Sequence, residues 1–597
     1  MSVARFYKVG SPYNGVELDE VDYDQSADTM YLAHLDHAPT KLLRYGHVNW
    51  QFAGVAFGPT ISPPASVSAA AQIGDTDAKN SGAAYFPQPA TYAVTAINEA
   101  TGQESRASPG STVSNDLTLK KNLNTVSWPA VAGATSYQVY RADNDLSFGY
   151  VGTTKVTSFT DRNIGPDLTR GPPQGANPFA AAGDWPSTVA FFEQRLMWAR
   201  TRNAPNGVFG SKSGQANYEN HDTASPLKDN DALSFQIVSS QVNAVNQLVS
   251  LSSLLALTSN AIFNVSGGGN DALTPTQIIS RRQIGRGSSR LNPLVVDNVV
   301  FYRPSTGNAV RALNYSFEND GFKSDDVSIF SPHFFDGFTV KSWAYCQEPN
   351  SLVWAVRSDG KLLCFTWEQE QQVWGWTLCE TDGQVDSVCS ISEDGEDRLY
   401  LTVWRVVGGR RRLYIERMAS ARWETIGDAC FVDCGKTYVF DTPAALLPNL
   451  DHLEGRTVIA LVDGSVIENL TVTGGQVVLP VAGSTVTIGL PYTALIETLP
   501  VSFALDGSNI AKRQHVGEIV MRCVNTRGVL AGPNEKNLFE LKPRGNEAYG
   551  DPNRLLTGDY RIDAAPVAAD QSAAVFKMPY PLPATITAIM LDPVVTG

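Results

Sequence analysis

The sequence predicts an all-β protein of several domains, and three observations predict it. Apolar residues recur at every second position over short runs, as in TMYLAHL, VAFFEQRLMWAR and RLYLTVWRV, which is the period of a half-buried strand. Turn formers cut these runs, with 49 Gly and 34 Pro in the chain, a supply that suits many short strands. At 597 residues the chain exceeds what one core can bury, so it divides into domains. A composition of 43% hydrophobic and 18% charged residues is that of a globular protein and not a disordered one. Its 46 basic against 60 acidic residues leave a net charge of −14, which argues against a surface built to grip phosphates and suits a soluble assembly component.

Residues 1–58 read as strands without a long helix, punctuated at PYNG and YGH. Within them HLDHAPTKLLRYGH holds three of the seven histidines, His34, His37 and His47, beside Asp36. In an extended strand His34 and Asp36 share a face and His37 takes the other, so a single strand cannot gather all three. Residues 59–177 begin with a Pro/Ser/Ala/Gly stretch to about Asn80, a linker composition. TYAVTAINEATGQES, NTVSWPAVAGATSYQVYRA and VTSFTDRNI then give short strands with turns between them, the pattern of a small β-sandwich. Trp128-Pro129 followed by GATSYQVYR, with Tyr137 and Tyr140, resembles the second and third strands of a fibronectin type III domain. That resemblance covers a core of about 83–167 and implies a spacer or adhesive decoration. GPDLTRGPPQGANPF closes the insertion as a second linker.

Residues 178–421 repeat short strands with aromatic ends and hold six of the eleven tryptophans between Trp343 and Trp404. Successive four-stranded sheets of this kind predict a β-propeller-like platform, although no fixed-period repeat is traceable. Asp359-Gly360 is expected to form a tight primed hairpin turn. LVSLSSLLALTSNAIF, Leu248 to Phe263, is broken by polar residues and falls short of the ~20 apolar residues that cross a bilayer, so it reads as buried strands. Residues 422–597 are again β, with hairpin turns at Asp463-Gly464 and Gly474-Gly475, and are expected to form one or two sandwiches.

The chain carries no H-E-x-x-H, paired C-x-x-C, Walker loop or Rossmann glycine fingerprint, so the motif-defined enzyme classes drop out. No catalytic residue, cofactor or metal ligand is assigned. SGGG at Ser266 to Gly269 lacks a strand-to-helix context and reads as a turn. The acid pairs Asp325-Asp326 and EDGEDR, Glu393 to Arg398, do not place two carboxylates across a cleft as a glycosidase needs. All seven cysteines lie between Cys346 and Cys523, odd in number, which reads as reduced thiols of a protein folded in cytoplasm, and MSVARFYKVGSPYNG shows no secretory h-region. Two basic runs remain, RRQIGRGSSR and RVVGGRRR. The first supplies the candidate contacts, Arg281, Arg282, Arg286 and Arg290, either with DNA through bidentate phosphate pairs or with a neighbouring subunit.

The run SSRLNPLVVDNVVFYRPSTGNAVRALNYSFENDGFKSDDVSIFSPHFF is similar to a segment of the tail tubular or nozzle proteins of short-tailed bacteriophages. ELDEVDYDQSADTMYLAHLDHAPTKLLRYGHVNW resembles their Q-S-A-D segment, and EQQVWGWTLCETDGQVDSV, HLEGRTVIALVDGSV, TIGLPYTALIETLP and LLTGDYRI follow in the same order. For the histidine stretch the resemblance implies a strand, a turn and a second strand, with Pro39 and Gly46 as punctuation and His34, His37 and His47 as polar edge and turn residues; the alternative is a metal assembled with distant residues. The resemblance implies a non-enzymatic virion protein, a hexameric tail ring docked below portal and adaptor proteins. Such a ring encloses a channel that retains packaged DNA and later conducts it, and offers attachment to tail fibres. A net negative charge suits a conduit, because a lumen dense in Lys and Arg would hold DNA through counterion release. Family members have a longer region before the segment like FYKVGSPYNG, so contacts made by that region are expected to be missing or supplied by another chain. The sandwich insertion is expected to project outward, toward a tail fibre or host surface glycan. The alternatives are a carbohydrate-binding adhesin or receptor-binding virion module and, third, a glycan-cleaving enzyme with a propeller domain.

Overall fold

The computed structural model describes residues 7–74, 85–144, 147–239, 243–268, 272–501, 512–540, 554–563 and 572–595. It divides into two compact units, Met1–Val327 and Ser328–Gly597. Among the described residues every helical element is a 3-10 turn of three or four residues, and the remaining regular structure is strand. No helix among the described residues is long and apolar enough to cross a membrane.

The first unit contains four antiparallel meanders of four strands each, spanning residues 22–54, 188–236, 245–284 and 294–326. They stack face to face, and their side chains alternate accordingly. From the first meander Tyr31 and Ala33 meet Leu196 and Trp198 of the second. The opposite face of that second sheet, with Phe192 and Met197, packs on Leu254 and Phe263 of the third. Leu255, Leu257 and Ile262 of the third meet Val300, Tyr302 and Leu313 of the fourth. A sheet sandwiched this way must be apolar on both faces, which is why Leu254–Thr258 reads LLALT and is wholly buried. LVSLSSLLALTSNAIF is therefore three short strands of the third meander.

The insertion between the first two meanders is a sandwich of a five-stranded and a three-stranded sheet. Trp128 and Tyr137 meet edge to face at 5.4 Å in its core, with Tyr92, Val94, Val126 and Val139 around them. Asp161 on the smaller sheet accepts from Arg141 at 2.6 Å and from Tyr92 at 2.7 Å on the larger, clamping the two together. Two features differ from the sequence reading. Ser68–Gln72 lies in the stretch read as linker, yet it is the edge strand of the smaller sheet because it pairs with Leu123–Ser127; tertiary pairing overrides the weak β-propensity of SAAAQ. Leu123–Ser127, which leads into Trp128 and resembles the second strand of such a module, is the fifth strand here in chain order, after Ser68–Gln72, Gln88–Asn98, Gln103–Glu104 and Ser111–Asn115.

The second unit begins with two meanders of the same kind, residues 340–379 with four strands and residues 384–417 with three. Ala344, Trp354 and Val356 of one pack on Val388, Leu401 and Val403 of the other. Asp359-Gly360 does close a hairpin, but only Gly360 has positive φ; Arg357 holds both carboxylate oxygens of Asp359, and Gly360 N–H returns to the Arg357 carbonyl. This is a three-residue loop ending in a left-handed glycine and not the primed two-residue turn. Asp394-Gly395, Asp463-Gly464 and Gly474-Gly475 each have both residues at positive φ, as a primed turn requires. Beyond residue 421 there is one four-stranded sheet over residues 433–490 with its own core. Two further sheets pack around Ile519, Met521, Ala531 and Phe576, so this part is one sandwich and one separate sheet.

Candidate functional site

The four arginines of the first basic run do not form one patch. Arg281 and Arg282 sit on Ile279–Ile284, the outer strand of the third meander, where neighbours alternate faces and both are exposed. Arg286 lies exposed in the loop that follows. Arg281, Arg282 and Arg286 form no ion pair among the described residues. Arg290 is separate: its guanidinium holds Glu20 at 3.0 Å, and its carbonyl accepts Gln247 Nε2 at 2.9 Å. The backbone between them is fixed at Gly287, where a Cβ would stand 1.8 Å from the Ser259 carbonyl oxygen, so only glycine permits that approach.

Gln247 belongs to a wider seam along the first strands of the meanders, which the sequence reading missed. Asp22 and Asp24 are two apart on one strand and so share a face; they accept the backbone N–H groups of Val189 at 3.1 Å and Phe191 at 2.8 Å on the first strand of the second meander. Burial raises the Asp22 carboxyl to about 6, and the bonds from Thr188, Val189 and Tyr23 oppose that rise. Thr188 next reaches Gln247 at 3.4 Å, which also donates to Asn292 at 2.8 Å. Asn246 donates to the Ser288 carbonyl at 2.6 Å. Side chains thus supply backbone partners where one sheet hands over to the next. The signal available in sequence was the D-x-D spacing in DYDQS, Asp22–Ser26, which puts both carboxylates on one face.

The histidine segment folds as a hairpin whose turn is Leu35-Asp36, with His34 and His37 as direct cross-strand partners. Their rings lie 5.0 Å apart, so the expectation that they diverge holds for a strand and fails at a turn. Pro39 lies inside the strand His37–Gly46 and does not punctuate it. His37 meets Glu17 at 3.1 Å, Tyr13 packs on both rings, and Asp36 turns away to Arg202. His47 stands apart beside Arg44. His34 is 3% exposed. Its Nδ1 accepts the Asp36 N–H at 3.1 Å, which leaves the neutral ring's proton on Nε2, 4.0 Å from Glu20. A ring ligating through Nε2 needs the reverse, with Nδ1–H as donor. Burial and the neighbouring His37 hold the His34 pKa below its ordinary value. Among the described residues no group of three or more His, Cys, Asp or Glu is placed to hold a metal ion.

The acid pairs also have structural partners. Asp325 meets Lys323 at 3.0 Å and Asp326 meets Arg311 at 3.8 Å, while EDGEDR is a hairpin turn. Ser266 ends a strand and Gly268 follows in a bend, with Gly269 outside the described residues. All seven cysteines are free thiols.

The second basic run splits into a buried hub and an exposed edge. The Arg405 side chain is 4% exposed and binds Glu416 and Asp433, Thr381 and the Asp382 carbonyl. Burial works against its charge, but the carboxylates around it hold its pKa above the ordinary value. Arg410, Arg411 and Arg412 begin the outer strand of the three-stranded meander.

A further polar contact anchors the insertion. Arg106 of the sandwich holds both oxygens of Asp222, which is fully buried, and also binds the Phe57 carbonyl at 3.0 Å. The insertion is therefore docked at its base against the second meander, which qualifies the expectation of a free projection. His221, next to Asp222, is 3% exposed among Phe57 and Phe179, and burial pushes its pKa down to about 3.

No protein-family model matches the chain, and no curated protein matches it. Among solved structures it is similar to a luciferin-regenerating enzyme at 8% identity and a TM-score of 0.21, over 50% of this chain and 88% of that one. The expectation of a non-enzymatic protein stands at odds with the name of this neighbour, which is that of an enzyme. At that score the likeness carries no argument about activity or substrate.

Proposed function

We propose that this chain is a virion tail nozzle subunit. In this reading copies close into a ring, expected to be a hexamer, around a channel that retains packaged DNA and conducts it during ejection. Portal or adaptor proteins dock on one side, and tail fibre or spike proteins attach outside. The observation that carries the reading is the match between motif order and module order. The Q-S-A-D segment coincides with the first meander, the SSRLNPLVV segment with the fourth, and EQQVWGWTLC with the end of the fifth. The sandwich interrupts this series between two complete meanders and inside neither. Three arginines without an ion pair among the described residues, Arg281, Arg282 and Arg286, offer transient phosphate contact on a chain of net charge −14, a combination suited to touching DNA without trapping it.

Light scattering and negative-stain electron microscopy of the purified chain, alone and added to tails lacking it, test the reading. Rings with a central hole that join tails are expected. A monomer that never joins them sinks the proposal.

A further inference from the structure

Among the described residues the last meander of the series has three strands in place of four. Each of the other five meanders has four strands, whereas residues 384–417 form three, and Arg410–Arg417 pairs only with Glu396–Val407 among the described residues. Its outward N–H and C=O groups form an open edge, which is a template for another strand. The edge is also unusual in charge. Arg410, Arg411 and Arg412 form no ion pair among the described residues, although the chain as a whole is at −14. Arg411 is steadied by Gln384 and by the face of Trp404, 4.5 Å from its ring centre.

The two faces of the edge differ in chemistry, because alternate residues point to opposite sides. On one face Leu413 and Ile415 are 47% and 61% exposed, beside Val406 at 62%. On the other, Arg410 and Arg412 wall a cavity of about 780 Å³ shared with Asp451, Glu454 and the Gly474-Gly475 turn. Among the described residues neither Asp451 nor Glu454 forms an ion pair with them; the two Glu454 oxygens are turned to the N–H groups of Gly474 and Gly475 at 3.0 and 2.6 Å.

From this we infer that Arg410–Arg417 is a docking edge for an extended acidic segment of another protein, which adds as the fourth strand of the meander. Main-chain bonds along the edge supply affinity, and alternating side chains supply selection. The incoming strand places apolar residues on the Val406, Leu413 and Ile415 face and carboxylates on the Arg410 and Arg412 face. The arginines also repel basic edges and would be left desolvated and unpaired beside a neutral one, so the same residues that guard the edge choose its partner.

The probe is a capped ten-residue peptide alternating Glu and Ile, with a Lys-for-Glu counterpart, added to the full chain. Binding is read by fluorescence anisotropy and its location by amide hydrogen exchange. The acidic peptide is expected to slow exchange across Arg410–Arg417 and to bind at least about tenfold more tightly than the basic one. The variant R410E/R411E/R412E should lose about tenfold or more, and R281E/R282E should leave binding unchanged. A second variant, L413E/I415E, alters only exposed side chains and should also abolish protection. Equal binding of both peptides, protection elsewhere, or no binding overturns the inference. So does concentration-dependent protection of the strand without peptide, which would make the edge a contact between copies of this chain.

Discussion

Replacing His221 by Phe should change how the protein responds to acid. The imidazole is 3% exposed among Phe57 and Phe179, its Nε2 has no hydrogen-bond partner among the described residues, and burial lowers its pKa from 6.5 to about 3. Between those values the unfolded chain binds the proton and the folded one does not, so stability rises with pH through that window. At pH 7.5 the ring is neutral in both states and contributes nothing. At pH 4.5 the unfolded state is favoured by two units at about 1.36 kcal/mol each, or about 3 kcal/mol. His221→Phe removes that term and keeps an edge-to-face aromatic in the same box. Urea unfolding of both proteins at the two pH values isolates it as a double difference, since other titrating groups are common to both. The variant should lose about 3 kcal/mol less than the wild type on acidification. An equal loss in both proteins would refute the premise that the ring is buried uncharged.

Asp22 should act with the opposite sign: its folded pKa of about 6 lies above the ordinary 3.8, so stability is lost as pH rises through that range. Asp22→Asn should gain about 2 kcal/mol over wild type at pH 7.5 relative to pH 4.5, again by urea unfolding. Arg106→Met strands the buried Asp222 carboxylate and should cost on the order of 3 kcal/mol, measured by unfolding, while Arg106→Met with Asp222→Leu recovers most of it. Gly287→Ala cannot fit beside the Ser259 carbonyl and should cost about 3 kcal/mol or prevent folding, read from soluble yield and melting. For nonspecific DNA binding, Arg281→Gln with Arg282→Gln and Arg286→Gln should lower the slope of log affinity against log salt by roughly 2.7, whereas Arg290→Gln, whose side chain is already paired, leaves it unchanged.

Strand positions were legible because an apolar residue at every second place matches the pleat of a half-buried strand and no helical face, and LLALT or VVFY declares burial on both faces. Turns were legible where two residues of positive φ are required, as at Asp463-Gly464, and misread at Asp359-Gly360, where Arg357 reshapes the loop from outside the dipeptide. The alanine strand Ser68–Gln72 was illegible, since nothing in SAAAQ asks for a sheet until Leu123–Ser127 lies beside it. The arginine candidates show the same limit. Spacing put four in ten residues, but only the fold separates Arg290, committed to Glu20, from the three left open. Long-range polar pairs such as Asp22 with Val189 and Arg106 with Asp222 span more than a hundred residues, and no local pattern announces them.

The base of the inserted sandwich has a consequence for how such a chain changes over generations. Its chain leaves the first meander near Phe57 and returns near Phe179, and those two rings touch with centres 5.1 Å apart. Departure and return are therefore neighbours, and a short splice between them could excise the module or exchange it for another while both flanking sheets keep their strands. The exchange is not wholly free, because Asp222 stays behind in the host sheet with its guanidinium gone. A lineage that discards the sandwich should be found to have neutralised position 222 as well, and a designed deletion should carry Asp222→Asn from the start.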